Sequence, residues 1–225
     1  MKVGNEEKVL RANSGEFILW EQGRDLNTDF KVFVFIDFLN GLLKDCKRKI
    51  TIDKQRVFPS GKDRGFIEYF ENIQPLADFP LEASHLDDKF LSSVVGAALL
   101  RLVLGLKEME HSQFIVTTKN GSLRMIQKNL AFQKVVLADG AAITFSRSLT
   151  DQLKSQGKAN EFVVLVATGF EHLFAAKNLI YAFGNTLFGS PFVTYFTGKA
   201  SLFEFDSHTA KQRLNEKLGQ IFEIK

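Results

Sequence analysis

Asp53 and Glu68 are the two carboxylates whose setting could do chemistry. Each falls in a short β-favouring run, with Lys54 or Lys62 near in sequence. Two carboxylates and a lysine on adjacent strands can hold Mg²⁺ and orient a water for phosphodiester hydrolysis. The same triple arises readily in a charged hairpin, where it is a solvated face with cross-strand ion pairs. A metal-dependent nuclease is therefore the minor reading. His85, His111, His172 and His208 lack metal-ligand spacing, and no G-x-x-x-x-G-K-[ST] loop or G-x-S-x-G elbow occurs. Cys46 is the only cysteine, so an intramolecular disulfide is excluded; it sits beside the cations Lys47 and Arg48, but with no general base nearby it reads as a plain small residue. No catalytic residue, metal or cofactor is expected, and the chain reads as a non-enzyme.

Charge is more informative than catalysis. Lys44–Gly65 carries eight bases (Lys44, Lys47, Arg48, Lys49, Lys54, Arg56, Lys62, Arg64) against three acids, Asp45, Asp53 and Asp63. Lys119–Lys134 adds Lys119, Arg124, Lys128 and Lys134 with no acid. These segments hold +5 and +4 while the whole chain is only +3, which leaves −6 elsewhere. Concentrated positive segments on an acidic body are the pattern of a polyanion binder. Phenylalanine is abundant, 23 against three Tyr and one Trp; most must pack the core, and an exposed minority can stack on unpaired bases.

The elements that would position these charges read as α+β: antiparallel meanders, each followed by packing helices. Glu16–Trp20 and Phe30–Ile36 read as strands, and Asp37 is placed to cap a helix over Phe38–Asp45. Lys49–Asp53 and Gly65–Phe70 read as strands about a turn at Pro59–Lys62. Alternation sends Lys49, Thr51 and Asp53 to one face and Ile50 and Ile52 to the other. A long apolar helix, capped by Ser84 or Asp87, covers Leu86–Leu106. Asn120-Gly121 and Asp139-Gly140 each favour a two-residue hairpin turn, so Phe114–Arg147 reads as a four-stranded meander and Ser148–Gln156 as a helix. Phe162–Val166 suits either a strand or a first helical turn, and Phe170–Phe183 suits a helix. Phe192–Phe196 with Ala200–Phe205 read as a hairpin, Thr209–Leu218 as a helix and Ile221–Ile224 as a last strand. With no linker or low-complexity tract, one integrated domain over 1–225 is favoured, with halves 1–110 and 111–225 as a possible pseudo-repeat.

A strand passing directly into a helix at Phe30–Asp45, basic strands, and the long helix Leu86–Leu106 resemble Whirly-type single-stranded nucleic-acid-binding domains. The meander Phe114–Arg147 with its helix resembles the same sheet-plus-helix unit again. Thr197-Gly198-Lys199-Ala200-Ser201-Leu202 is similar to that family's Lys-Gly-Lys-Ala-Ala-Leu strand motif, with Lys199 at its second lysine; Thr197 replaces the first, and the motif lies near the C-terminus rather than the start. The resemblance, which includes RNA-binding forms carried by jumbo phages, implies binding of single-stranded RNA or DNA without strong sequence preference. The expected interface comprises Lys47, Arg48, Lys49, Lys54, Arg56, Phe58, Lys62, Arg64, Tyr69, Lys119, Arg124, Lys128, Lys134 and Lys199, with RNA slightly preferred and a homo-oligomer as the working form. A phage-type DNA sliding clamp is the alternative from another class. It would line a hole with basic helices, and Leu86–Leu106 carries only Lys89 and Arg101 as bases. The N-terminus lacks a signal peptide's apolar core and Val94–Leu106 is too short to span a bilayer, so a cytoplasmic protein without membrane contact is expected.

Overall fold

The computed structural model describes residues 6–11, 17–23, 25–70, 73–75, 85–105, 114–119, 122–127, 147–199 and 201–223. The fold is α+β, with antiparallel strands in two sheets. Sheet A has the order β1-β2-β4-β3, from β1 (Glu6–Arg11), β2 (Phe17–Gln22), β3 (Val57–Gly61) and β4 (Arg64–Glu68). Sheet B has the order β5-β6-β7, from β5 (Ile73–Pro75), β6 (Phe114–Lys119) and β7 (Ser122–Gln127). The helices are α1 (Asn27–Leu43), α2 (Asp88–Leu104), α3 (Arg147–Ser155), α4 (Ala159–Ala175), α5 (Lys177–Phe188), α6 (Ser190–Phe196) and α7 (Ser207–Phe222).

Helix α2 is the axis of the core. Every residue from Phe90 to Leu104 is buried, which a helix achieves only when it is packed on all sides. Asp87 caps it, accepting from Phe90 N at 2.7 Å. Gly105 ends it at φ 64°, the left-handed geometry that favours glycine. A side chain at Gly105 would also overlap the Tyr195 ring, whose hydroxyl donates to Leu102 O at 2.7 Å. Sheet B docks on α2 through Ser93, whose Oγ accepts from Met125 N (2.8 Å) and donates to Met125 O (3.1 Å). Helices α1, α4, α5, α6 and α7 close around the same core.

Four expected strands are helical instead, in whole or in part. Phe30–Ile36 lies inside α1, where Val32, Phe35, Ile36, Leu39 and Leu43 form one buried stripe at helical spacing. That stripe runs straight through Asp37, which is therefore an exposed mid-helix residue and no cap. Burial of the stripe overrides the β preference of Phe and Val. Phe192–Phe196 belongs to α6, with Pro191 near its first position and Phe192, Tyr195 and Phe196 on the buried side. Leu202–Glu204 is a short 3-10 turn, and Phe222 completes the buried row Ala210, Leu214, Leu218 of α7. The first hairpin, β6–β7, forms with Lys119 paired to Ser122; the second, around Asp139-Gly140, lies outside the described residues.

Lys49–Asp53 alternates as expected, with Ile50 and Ile52 buried, but joins no ladder. It is an extended segment pinned by helix side chains. Asn40 Nδ2 donates to Ile52 O (2.9 Å), Ile52 N donates to Asn40 Oδ1 (2.8 Å), and Thr51 N donates to Ser92 Oγ (3.1 Å). Gly96 lets the segment cross α2, because a Cβ there would overlap the Thr51 carbonyl. Gly96→Ala is expected to destabilise the protein by about 1–3 kcal/mol through overpacking, read as a lower urea midpoint.

Asp206 caps α7, accepting from Thr209 N (3.0 Å) and Thr209 Oγ1 (2.7 Å). Those bonds hold its carboxyl below the ordinary value of 3.8. Its stabilisation is therefore complete above the unfolded value and is lost as pH falls through the depressed folded one. Asp206→Ala is expected to lower the thermal midpoint at neutral pH and to flatten its acid dependence below about pH 4.

Candidate nucleic-acid interface

Sheet A has two unlike faces, and its register explains them. Residues opposite each other across a ladder share a face, and their sequence neighbours take the other. One row runs Val57, Ile67, Leu19, Val9. Its first three members pack with Leu26, just before α1, in a cluster separate from the main core. Gly65 lies on this face too, since a Cβ there would touch Leu26.

The opposite face carries a different row. Lys8 pairs with Trp20, Trp20 with Phe66, and Phe66 with Phe58, across all four strands. Lys8 Nζ sits 5.7 Å from the centre of the Trp20 ring. Trp20 and Phe66 are half-buried, and Phe58 is 50% exposed at the β3 edge, its ring 6.1 Å from Phe33 of α1. Arg64, exposed, is two residues before Phe66 on β4 and thus on the same face; Lys62 is exposed in the β3–β4 turn. The result is a row of ring-bearing positions on one face, with cations at its margins. Such a strip can stack bases while the cations meet phosphates.

The expected interface residues divide on placement. Phe58, Lys62 and Arg64 border this strip. Lys47, Arg48 and Lys49 are exposed in the loop after α1, at the far end of a helix about 25 Å long. They form a separate basic patch. Lys54 is drawn inward: it pairs with Asp37 and lies 3.7 Å from the centre of the Phe33 ring, with its side chain only 18% exposed. Arg56 is tied to Glu68, its Nη2 donating to Oε1 (3.2 Å) and its backbone N to Oε2 (3.1 Å). Tyr69 is half-buried just past β4. Lys119 stands opposite Ser122, and Arg124 opposite Thr117, on the sheet B hairpin. Lys128 and Lys134 lie outside the described residues. Lys199 is exposed, but in a turn after α6 and not on the strand expected for it.

Several charges expected on strands are thus on loops, because helices α1 and α2 supply the hydrogen bonds that a sheet partner would have given to 49–53. The Asp53/Glu68 pair is also recast. Both Glu68 carboxylate oxygens accept from Arg56, and among the described residues no group of three His, Cys, Asp or Glu side chains is placed to hold a metal. Among those residues no single helix is long and apolar enough to cross a membrane. Two of the segments that carried the Whirly-type resemblance differ from the strands expected of them: Phe30–Ile36 is helical, and 197–199 form a turn after α6.

Sequence reasoning missed Lys8, Trp20 and Phe66 as site residues. Alternation in β2 and β4 holds part of the signal, putting Trp20 opposite in parity to Leu19, and Phe66 opposite to Ile67. What it lacks is the β2–β4 pairing, which joins strands separated by the whole of α1. No family model matches the chain, and no curated protein matches it at a significant level. The functional reading rests on this geometry.

Proposed function

We propose that this chain is a non-enzymatic binder of single-stranded RNA or DNA. Bases stack on the sheet A strip Trp20–Phe66–Phe58, and Lys8, Lys62 and Arg64 meet phosphates. The carrying observation is the four-strand row Lys8–Trp20–Phe66–Phe58, which puts three rings on the face away from the Leu26 cluster. Stacking tolerates every base, so sequence preference is low. The resemblance to Whirly-type domains implies the same ligand class, with RNA slightly favoured. A duplex offers no unpaired faces to such a strip.

Fluorescence anisotropy with labelled oligo-U, oligo-dT and a duplex, over a salt series, tests the proposal. Binding of both single strands, well above the duplex, is expected. Three phosphate contacts predict a log–log salt slope of about −2, at roughly −0.7 per contact. Lys62→Glu with Arg64→Glu should flatten the slope by about 1.4, whereas Arg48→Glu, at the other end of α1, should change it little. No binding at low salt, or a duplex preference, would overturn the assignment.

A further inference from the structure

The two edges of sheet A are built differently. On β3 the edge is blunted: Pro59 offers no N–H, and the pairing with β4 shifts register between Pro59 and Gly61. These are the devices by which an edge avoids a further strand. On β1 neither occurs. Among the described residues β1 pairs only with β2. The apolar row that is shut at one end is open at the other, running Val57 (5% exposed), Ile67 (4%), Leu19 (half-buried), Val9 (50%). Leu10, on the opposite face, is 45% exposed.

We infer that β1 is the seam of a two-fold dimer, in which β1 of a second copy of this chain pairs antiparallel with it and joins two sheets A into one of eight strands. The strand is self-complementary. A two-fold axis normal to the sheet keeps inner face with inner face, so opposed residues must have the same parity. The register centred on Val9 opposes Val9 to Val9, Lys8 to Leu10, and Glu7 to Arg11 at both ends. It carries the uncovered apolar row across the seam and flanks it with two opposite-charge positions. The registers one step away centre on Lys8, which opposes two like charges, or on Leu10, which opposes Val9 to Arg11 and breaks the apolar row; both are disfavoured. The seam also brings the two aromatic strips edge to edge, with Leu10 and Lys8 between them, although the inference does not depend on what those strips bind.

Sedimentation equilibrium without nucleic acid reads the association, with circular dichroism as the folding control. Wild type is expected to be dimeric. Glu7→Arg or Arg11→Glu alone places like charges at both ends of the seam and should weaken association by about 10-fold or more. The swap Glu7→Arg with Arg11→Glu should restore it. In a Cys46→Ser background, Val9→Cys should give a disulfide-linked dimer on mild oxidation, and Leu10→Cys should give much less. A wild type that is monomeric throughout, single reversals that remain dimeric, a swap that fails to rescue, or cross-linking at position 10 in preference to 9 would each overturn the inference. So would a partner other than this chain being required for association.

Discussion

Replacing Trp20 and Phe66 together by leucine is expected to weaken binding of single-stranded oligonucleotides at least about 30-fold, on the basis of roughly 1–3 kcal/mol of stacking per ring. Leucine keeps apolar bulk on β2 and β4 and removes the π-face, so the sheet should survive. Both side chains point away from the Leu26 cluster, which is filled by Leu19, Val57 and Ile67. The loss should be similar for RNA and DNA and nearly independent of salt. That separates it from the charge variants, whose effect is in the slope. If the leucine pair binds as wild type does, the strip is surface packing and the proposal fails.

The largest effect on stability is expected at Phe35. Its side chain is fully buried on α1. The ring lies 5.3–6.2 Å from those of Phe38, Phe183, Phe188 and Phe192, edge-on to the last two and stacked on Phe183. It therefore joins α1 to both α5 and α6. Phe35→Ala removes these contacts and leaves a cavity that the surrounding rings cannot close, at a cost of about 3–5 kcal/mol. For a chain of this size that is a fall of roughly 6–20 °C in thermal midpoint. Phe35→Leu should cost much less. Phe30, on the exposed side of the same helix, should tolerate leucine with little change.

How much was legible depended on whether a signal was local. The hairpin at Asn120-Gly121, the capped apolar helix beginning at Asp88 and the helices near 148 and 209 could all be read from nearby residues, and they formed close to their expected positions. Phe30–Ile36 could not. Phe-Lys-Val-Phe-Val-Phe-Ile satisfies a strand by composition and a helix by the spacing of Val32, Phe35, Ile36 and Leu39, and only packing against α4 and α5 decides between them. The same holds for Phe192–Phe196, where Pro191 was the local hint of a helix start. The charge clustering in 44–65 was real, but the fold spends those charges differently. Lys54 and Arg56 hold acidic partners, while Lys47, Arg48 and Lys49 stay in solvent. The aromatic strip depends on a register between strands far apart in sequence, which no window of residues contains.

The proline and the register shift in β3 have a consequence for assembly. A sheet with two adhesive edges can add copies without limit, as fibrils do. With one border refused to newcomers, the inferred β1 seam would use up the other in a single mating, and growth would have nowhere to continue. Removing that refusal, for instance by Pro59→Val, would give the joined pair two fresh edges and turn a closed particle into the repeat unit of a filament.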